Sequence, residues 1–148
     1  MKQKRIIGRR EKITLPKWGL NLISAKVDTG AYTSSIHCEY AEEKTIKGEK
    51  VLEFRLLPST HIKYTGETFQ TTNYTQKKVK NSFGQAEIRY KIITKVLMFG
   101  EEFEAEFTLS DRSKMRNAIL IGRKTLKGRF LVDVDQVNLS HHFKKTTR

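Results

Sequence analysis

Ile23-Ser24-Ala25-Lys26-Val27-Asp28-Thr29-Gly30-Ala31-Tyr32-Thr33-Ser34-Ser35-Ile36 decides how the rest of this chain is read. It has the form of a strand ending in an aspartate, a glycine that lets the backbone turn sharply, a run of small and hydroxylated residues, and a second strand. Such a turn holds a carboxylate at its tip. The Thr29 hydroxyl is expected to hydrogen-bond backbone groups and lock the loop, and Gly30 to let a substrate or partner backbone come close. The tripeptide Asp28-Thr29-Gly30 is weak evidence by itself, since average residue usage makes a chance match in a chain of this length on the order of a few per cent. The bland alternative is a plain turn with an exposed aspartate.

Outward from that turn, period-two alternation dominates. In Glu102-Phe103-Glu104-Ala105-Glu106-Phe107-Thr108-Leu109 the apolar residues fall on one face and the carboxylates on the other, as a half-buried strand requires. Phe99-Gly100-Glu101 reads as a tight turn, and with Ile88 to Phe99 before it the segment predicts a long hairpin. Shorter strands are expected over 12–15, 23–28, 34–39, 51–57, 68–74, 118–121 and 130–134, a pattern that suggests a closed or sandwiched sheet. The one clear helix signal is Arg123-Lys124-Thr125-Leu126-Lys127 ahead of Gly128, which can stop it. The polar segment from Pro58 to Gly84 reads as a long excursion with a hairpin tip, either a covering flap or an ordinary surface loop. Residues 138–148 are expected to fray.

At 148 residues, 37% apolar and 30% charged, the chain predicts a single domain spanning 1–148. No apolar run approaches the roughly 20 residues that span a bilayer, so no membrane partner is expected. The basic N-terminus lacks a signal-peptide pattern and Cys38 is the single cysteine, which together point to the cytoplasm. A net charge of +13 favours acidic partners. Nucleic acid is allowed by that charge but not favoured, because no zinc-finger spacing or aromatic RNA-binding signature accompanies it.

A second apolar strand, Ala118-Ile119-Leu120-Ile121, runs into Gly122-Arg123 and the helix signal. Asp28-Thr29-Gly30-Ala31 followed far downstream by Leu120-Ile121-Gly122-Arg123, a short helix and a last strand resembles the retropepsins, the viral-type aspartic proteases. The closer resemblance is to a bacterial and archaeal branch formerly described as ATP-dependent zinc proteases, whose genes often lie near a ligase that adds glutamates to a ribosomal protein. It is carried by residues 7–11, 25–37, 79–89 and 120–133. The resemblance implies an all-β, closed acid-protease-like barrel with one short helix near the C-terminus. It also implies that Asp28 is half of a catalytic carboxylate dyad, with Thr29 and Gly30 fixing the turn, and with Ala31, Thr33, Ser34, Ile121, Gly122 and Arg123 supporting it. Asp111, Asp133 and Asp135 lack the Thr-Gly or Ser-Gly of a second such turn. The partner carboxylate is therefore expected from Asp28 of a second copy across a two-fold axis.

Metal chemistry finds little support. His-Glu-x-x-His is absent, His37 and Cys38 are adjacent and would point to opposite faces of a strand, His61 is isolated, and His141-His142 lies in the expected tail. No Gly-x-x-x-x-Gly-Lys phosphate loop is present, so no cofactor is expected. The expected function is an aspartic peptidase-type hydrolase, a homodimer acting on peptides or proteins, with glutamate-rich ones suited to the basic charge. The alternative is a non-catalytic binding module of the same fold that docks an acidic protein or RNA.

Overall fold

The computed structural model describes residues 3–80 and 82–143. Six strands close into a barrel: β2 (Arg10–Leu15), β3 (Leu20–Val27), β4 (Ser34–Ile46), β8 (Ala86–Met98), β9 (Glu101–Ser110) and β10 (Ile119–Ile121), in the circular order β3-β2-β8-β9-β4-β10. Alternation drives the closure. Ala105, Phe107 and Leu109 of β9 are buried while Glu104 is exposed, and Ile13, Ile23, Ala25, Ile36, Ile92, Val96, Ile119 and Ile121 fill the interior from the other strands. The fold is thus the closed β-barrel that the resemblance implied.

The β8–β9 hairpin turns at Phe99 (φ 52°) and Gly100 (φ 72°), the two left-handed residues that a twist-matched two-residue turn requires. Phe99 bears that conformation because it is pinned: its ring lies 5.5 Å from Phe143 and the Arg5 guanidinium stacks 4.6 Å from its centroid.

Several elements differ from expectation. Strand β4 does not stop at Glu39; a bulge between Cys38 and Tyr40 lets it bend and continue to Ile46, where it pairs with β5 (Glu49–Leu56). Beyond it β6 (Phe69–Thr71) completes a side layer, held to the barrel by Trp18, Phe54 and Phe69 with ring centroids 5.1–5.8 Å apart. An unanticipated β1 (Arg5–Ile7) pairs in parallel with β11 (Phe130–Val132) as a separate two-stranded sheet. The excursion from Pro58 is more regular than a loop, because β7 (Tyr74–Lys80) pairs along its whole length with β8. Residues 86–90 of β8 pair with β7 alone, so this stretch stands clear of the barrel as an arm roughly 17 Å long.

The helix signal is realised as α1 (Arg123–Leu126). A second short helix, α2 (Leu139–His142), forms in the segment expected to fray. It is held by Glu11, fully buried, whose carboxylate accepts from the backbone N–H groups of Gly8 (2.7 Å), Leu139 (3.1 Å) and Ser140 (2.9 Å). Residues 144–148 lie outside the described part.

Candidate active site

Strand β10 is only three residues long, yet it joins two strands that would otherwise part. It pairs in parallel with β3 (Ile119 opposite Ala25, Ile121 opposite Val27) and antiparallel with β4 (Ile119 opposite Ile36, Leu120 opposite Ser35). The chain from β3 to β4 must therefore loop over the C-terminal end of β10, and Asp28 stands at the start of that loop. Its backbone N–H donates to the Ile121 carbonyl (2.9 Å), extending the ladder one residue past the strand. Its carboxylate Oδ1 accepts from the Gly30 N–H at 2.9 Å, which holds the side chain against its own turn.

The other expected residues gather here. Thr29 and Gly30 are exposed at the turn and Asp28 is half-buried. The Thr29 hydroxyl makes no hydrogen bond among the described residues. The lock is made instead by the Thr29 carbonyl, which accepts from Arg123 Nη1 at 2.9 Å. Carbonyls of Ala31 and Tyr32 accept from the N–H groups of Arg123 (2.8 Å) and Lys124 (2.9 Å), so the first turn of α1 caps the loop. Buried Ser34 Oγ accepts from the Gly122 N–H at 3.0 Å and shares a 2.7 Å hydrogen bond with Thr125 Oγ1. Thr33 lines an open groove of about 410 Å³ with Thr75, Lys77, Arg89, Lys91 and Thr108.

Register defines one continuous outer surface. Lys26, Leu120, Ser35, Thr108, Lys91 and Thr75 are successive cross-strand partners from β3 through β10, β4, β9 and β8 to β7. Cross-strand partners share a face, so the groove under the arm lies on the same side as Ser35 and Lys26.

One charged residue on this surface was not singled out from the sequence. Arg112, just after β9, donates Nε–H to the Asn117 carbonyl (3.2 Å) and reaches Ser35 Oγ with Nη1 (3.5 Å). Its backbone N–H donates to Nδ1 of buried His37 (2.7 Å), so that nitrogen is an acceptor and the imidazole carries its proton on Nε2. Nε2 lies 3.2 Å from Glu39 Oε1, without hydrogen-bond alignment. Burial pulls the Arg112 guanidinium below its ordinary range, and the Asp28 carboxylate opposes that shift. Geometry places them on one face: Ser35, which Arg112 reaches, is opposite Leu120, Leu120 is opposite Lys26, and Asp28 follows Lys26 by two residues. In the sequence Arg112 is one basic residue among many; only the folded loop sets its side chain beside Ser35.

The strand-borne Asp-Thr-Gly turn is thus cradled by a third strand, the Gly122-Arg123 step and a short helix. The chain belongs to the RimB-like family, the retropepsin-like aspartic endopeptidases. The family's profile matches residues 6–142. Relatives named "Probable alpha-L-glutamate ligase" from Desulfotalea psychrophila and Shewanella pealeana are each 33% identical, over 88% and 86% of this chain. The chain spans only 28% of the length of either. A crystal structure of a Legionella pneumophila protein of unknown function (DUF785) superposes with a TM-score of 0.72 at 24% identity, covering 93% of this chain and 99% of that one, which shows a shared fold. Among the described residues no three His, Cys, Asp or Glu side chains gather as metal ligands, and no helix is long and apolar enough to cross a membrane.

Proposed function

We propose that this RimB-like chain is an aspartic peptidase-type hydrolase whose site is completed by a second copy, and that it acts on glutamate-rich peptides. The observation that carries the reading is the placement of Asp28 at the head of a turn that β10 and α1 hold rigidly from below. Two such carboxylates about 3 Å apart cannot both ionise and would share one proton. The ionised member takes a proton from water as the water oxygen bonds to the scissile carbonyl carbon, and its protonated partner donates to the carbonyl oxygen. Collapse of the tetrahedral adduct breaks the C–N bond, and the amine leaves with a proton returned from the pair.

The surface around the turn suits pairing. Tyr32 is 58% exposed, and Ile6 and Leu131, which face each other across β1 and β11, are 50% and 54% exposed. Tyr32, Leu131 and Thr29 border one open depression of about 640 Å³. A patch of this character beside an incomplete site is what an isologous interface needs. For the substrate, the groove beneath the arm presents Lys77, Arg89 and Lys91. That relatives carry this region within chains named as glutamate ligases supports a glutamate-containing substrate.

The deciding experiment compares the wild type with Asp28→Asn on a glutamate-rich peptide, with product bonds located by mass spectrometry. Loss of cleavage with retained folding supports the proposal; cleavage that survives the substitution sinks it.

A further inference from the structure

The cations of the turn, the helix below it and the groove under the arm are not equivalent. Lys124 and Lys91 both pair with Glu106, at 2.7 Å and 3.4 Å. Arg89 pairs with Glu87 at 3.1 Å. Arg123 gives Nη1 to the Thr29 carbonyl and stacks 5.7 Å from the Tyr32 ring. Lys26, on β3, is exposed. Arg112 alone among these combines partial burial and a side chain fixed at two points with no carboxylate in ion-pair range among the described residues. Its Nη2 amino group has no hydrogen-bond partner there.

A half-buried guanidinium in that condition is a pre-ordered receptor: its planar fork matches a carboxylate in two parallel hydrogen bonds, and little rotamer freedom remains to be lost on binding. There is also an electrostatic need. An acidic side chain brought up to Asp28 is repelled by the site's own negative charge, and a fixed cation beside it offsets that repulsion. Resting on the acidic-peptide reading above, we propose that Arg112 is a specificity-determining residue that receives a substrate carboxylate next to Asp28. The loop is anchored for this purpose from two sides, through the His37 imidazole and through Ser35.

The test measures binding and hydrolysis separately. Binding of a short glutamate peptide and of its glutamine counterpart is followed by chemical-shift perturbation in wild type, Arg112→Met and Arg112→Lys, each in the Asp28→Asn background so that no turnover intervenes. Arg112→Met should weaken binding of the glutamate peptide by about ten-fold or more, leave the glutamine peptide within about three-fold, and be partly rescued by lysine. In the chain with Asp28 intact, kcat/KM should follow the same pattern. Equal loss on both peptides, or no loss on either, overturns the role of Arg112. Wild-type binding of neither peptide overturns it together with the acidic-substrate reading, whereas discriminating binding without hydrolysis upholds Arg112 and refutes only the catalytic reading.

Discussion

Gly122 and Thr33 are in such close contact that a β-carbon on the glycine would sit 2.7 Å from the Thr33 carbonyl oxygen. Backbone lies against backbone, so nothing can rotate aside. Gly122→Ala should therefore push the second half of the Asp28 loop off α1, at a cost of about 1–3 kcal/mol, with peptide cleavage falling further than stability does. Gly19→Ala is the control, since that position has open space and only its φ of 65° to strain. A cost there of about 1–2 kcal/mol with cleavage intact is expected. Denaturant midpoints and initial rates on the two variants decide the matter; Gly122→Ala with unchanged activity would contradict the role given to this contact.

Glu11 carries a different kind of burden. Three backbone N–H groups converge on its buried carboxylate, two of them from the first turn of α2. Glu11→Gln turns part of that acceptor into a donor aimed at donors, and about 3 kcal/mol of stability should go with it. The loss should be local: amide exchange at Leu139 and Ser140 should accelerate before the barrel strands respond. Uniform exchange across the chain would mean that α2 is not a separate unit.

The strands were legible in the sequence because their signal is local, whereas their closure into a barrel was implied by the family resemblance. Alternation in residues 102–109 names the strand, and a turn flanked by two strands names the place of Asp28. What was not legible depends on distant partners. Glu11 looks like one charged residue in a basic N-terminal segment, and it becomes a buried anchor only when residues 139–140 return to it. The bend that carries β4 past Glu39 is a bulge selected by packing against β5 rather than by turn residues. Arg112 is likewise ordinary until the 111–118 loop sets it over Ser35. The Thr29 hydroxyl was expected to lock the turn, but the backbone carbonyl of the same residue is better placed for Arg123.

Cys38 offers a pH-dependent check on the β4 bulge. Burial, as the largest cause, pushes its thiol up from 9.0 to about 11, partly offset by backbone hydrogen bonding from Tyr40 and Arg55, and the protonated thiol donates to the Tyr40 carbonyl (2.9 Å). A folded-state pKa raised above the unfolded value means that the stabilisation is present below pH 9 and lost as the pH climbs through 11. Alkylation of the native protein at pH 8 should accordingly be far slower than that of the unfolded chain, and should quicken only in strongly alkaline solution. Cys38→Ser should flatten the decline in stability on the alkaline side. Native alkylation as rapid as that of a free thiol would show that the bulge opens readily.

The paired-site reading makes a demand that no single-chain mechanism makes. If each catalytic centre takes one Asp28 from either copy, an Asp28→Asn chain is an inhibitor as well as an inactive enzyme, because every mixed pair it forms is dead. After subunit exchange, an equal amount of Asp28→Asn chain should cut the activity per wild-type chain by about half, and a nine-fold excess to about a tenth, as random pairing requires. Leu131→Asp, which charges the exposed position opposite Ile6, should lose activity while keeping the barrel folded, and added to the Asp28→Asn chain should abolish its inhibition. Activity that merely tracks the wild-type concentration, indifferent to added Asp28→Asn chain, would mean that the site is complete within one copy, and the carboxylate facing Asp28 would then have to be sought elsewhere in the same chain.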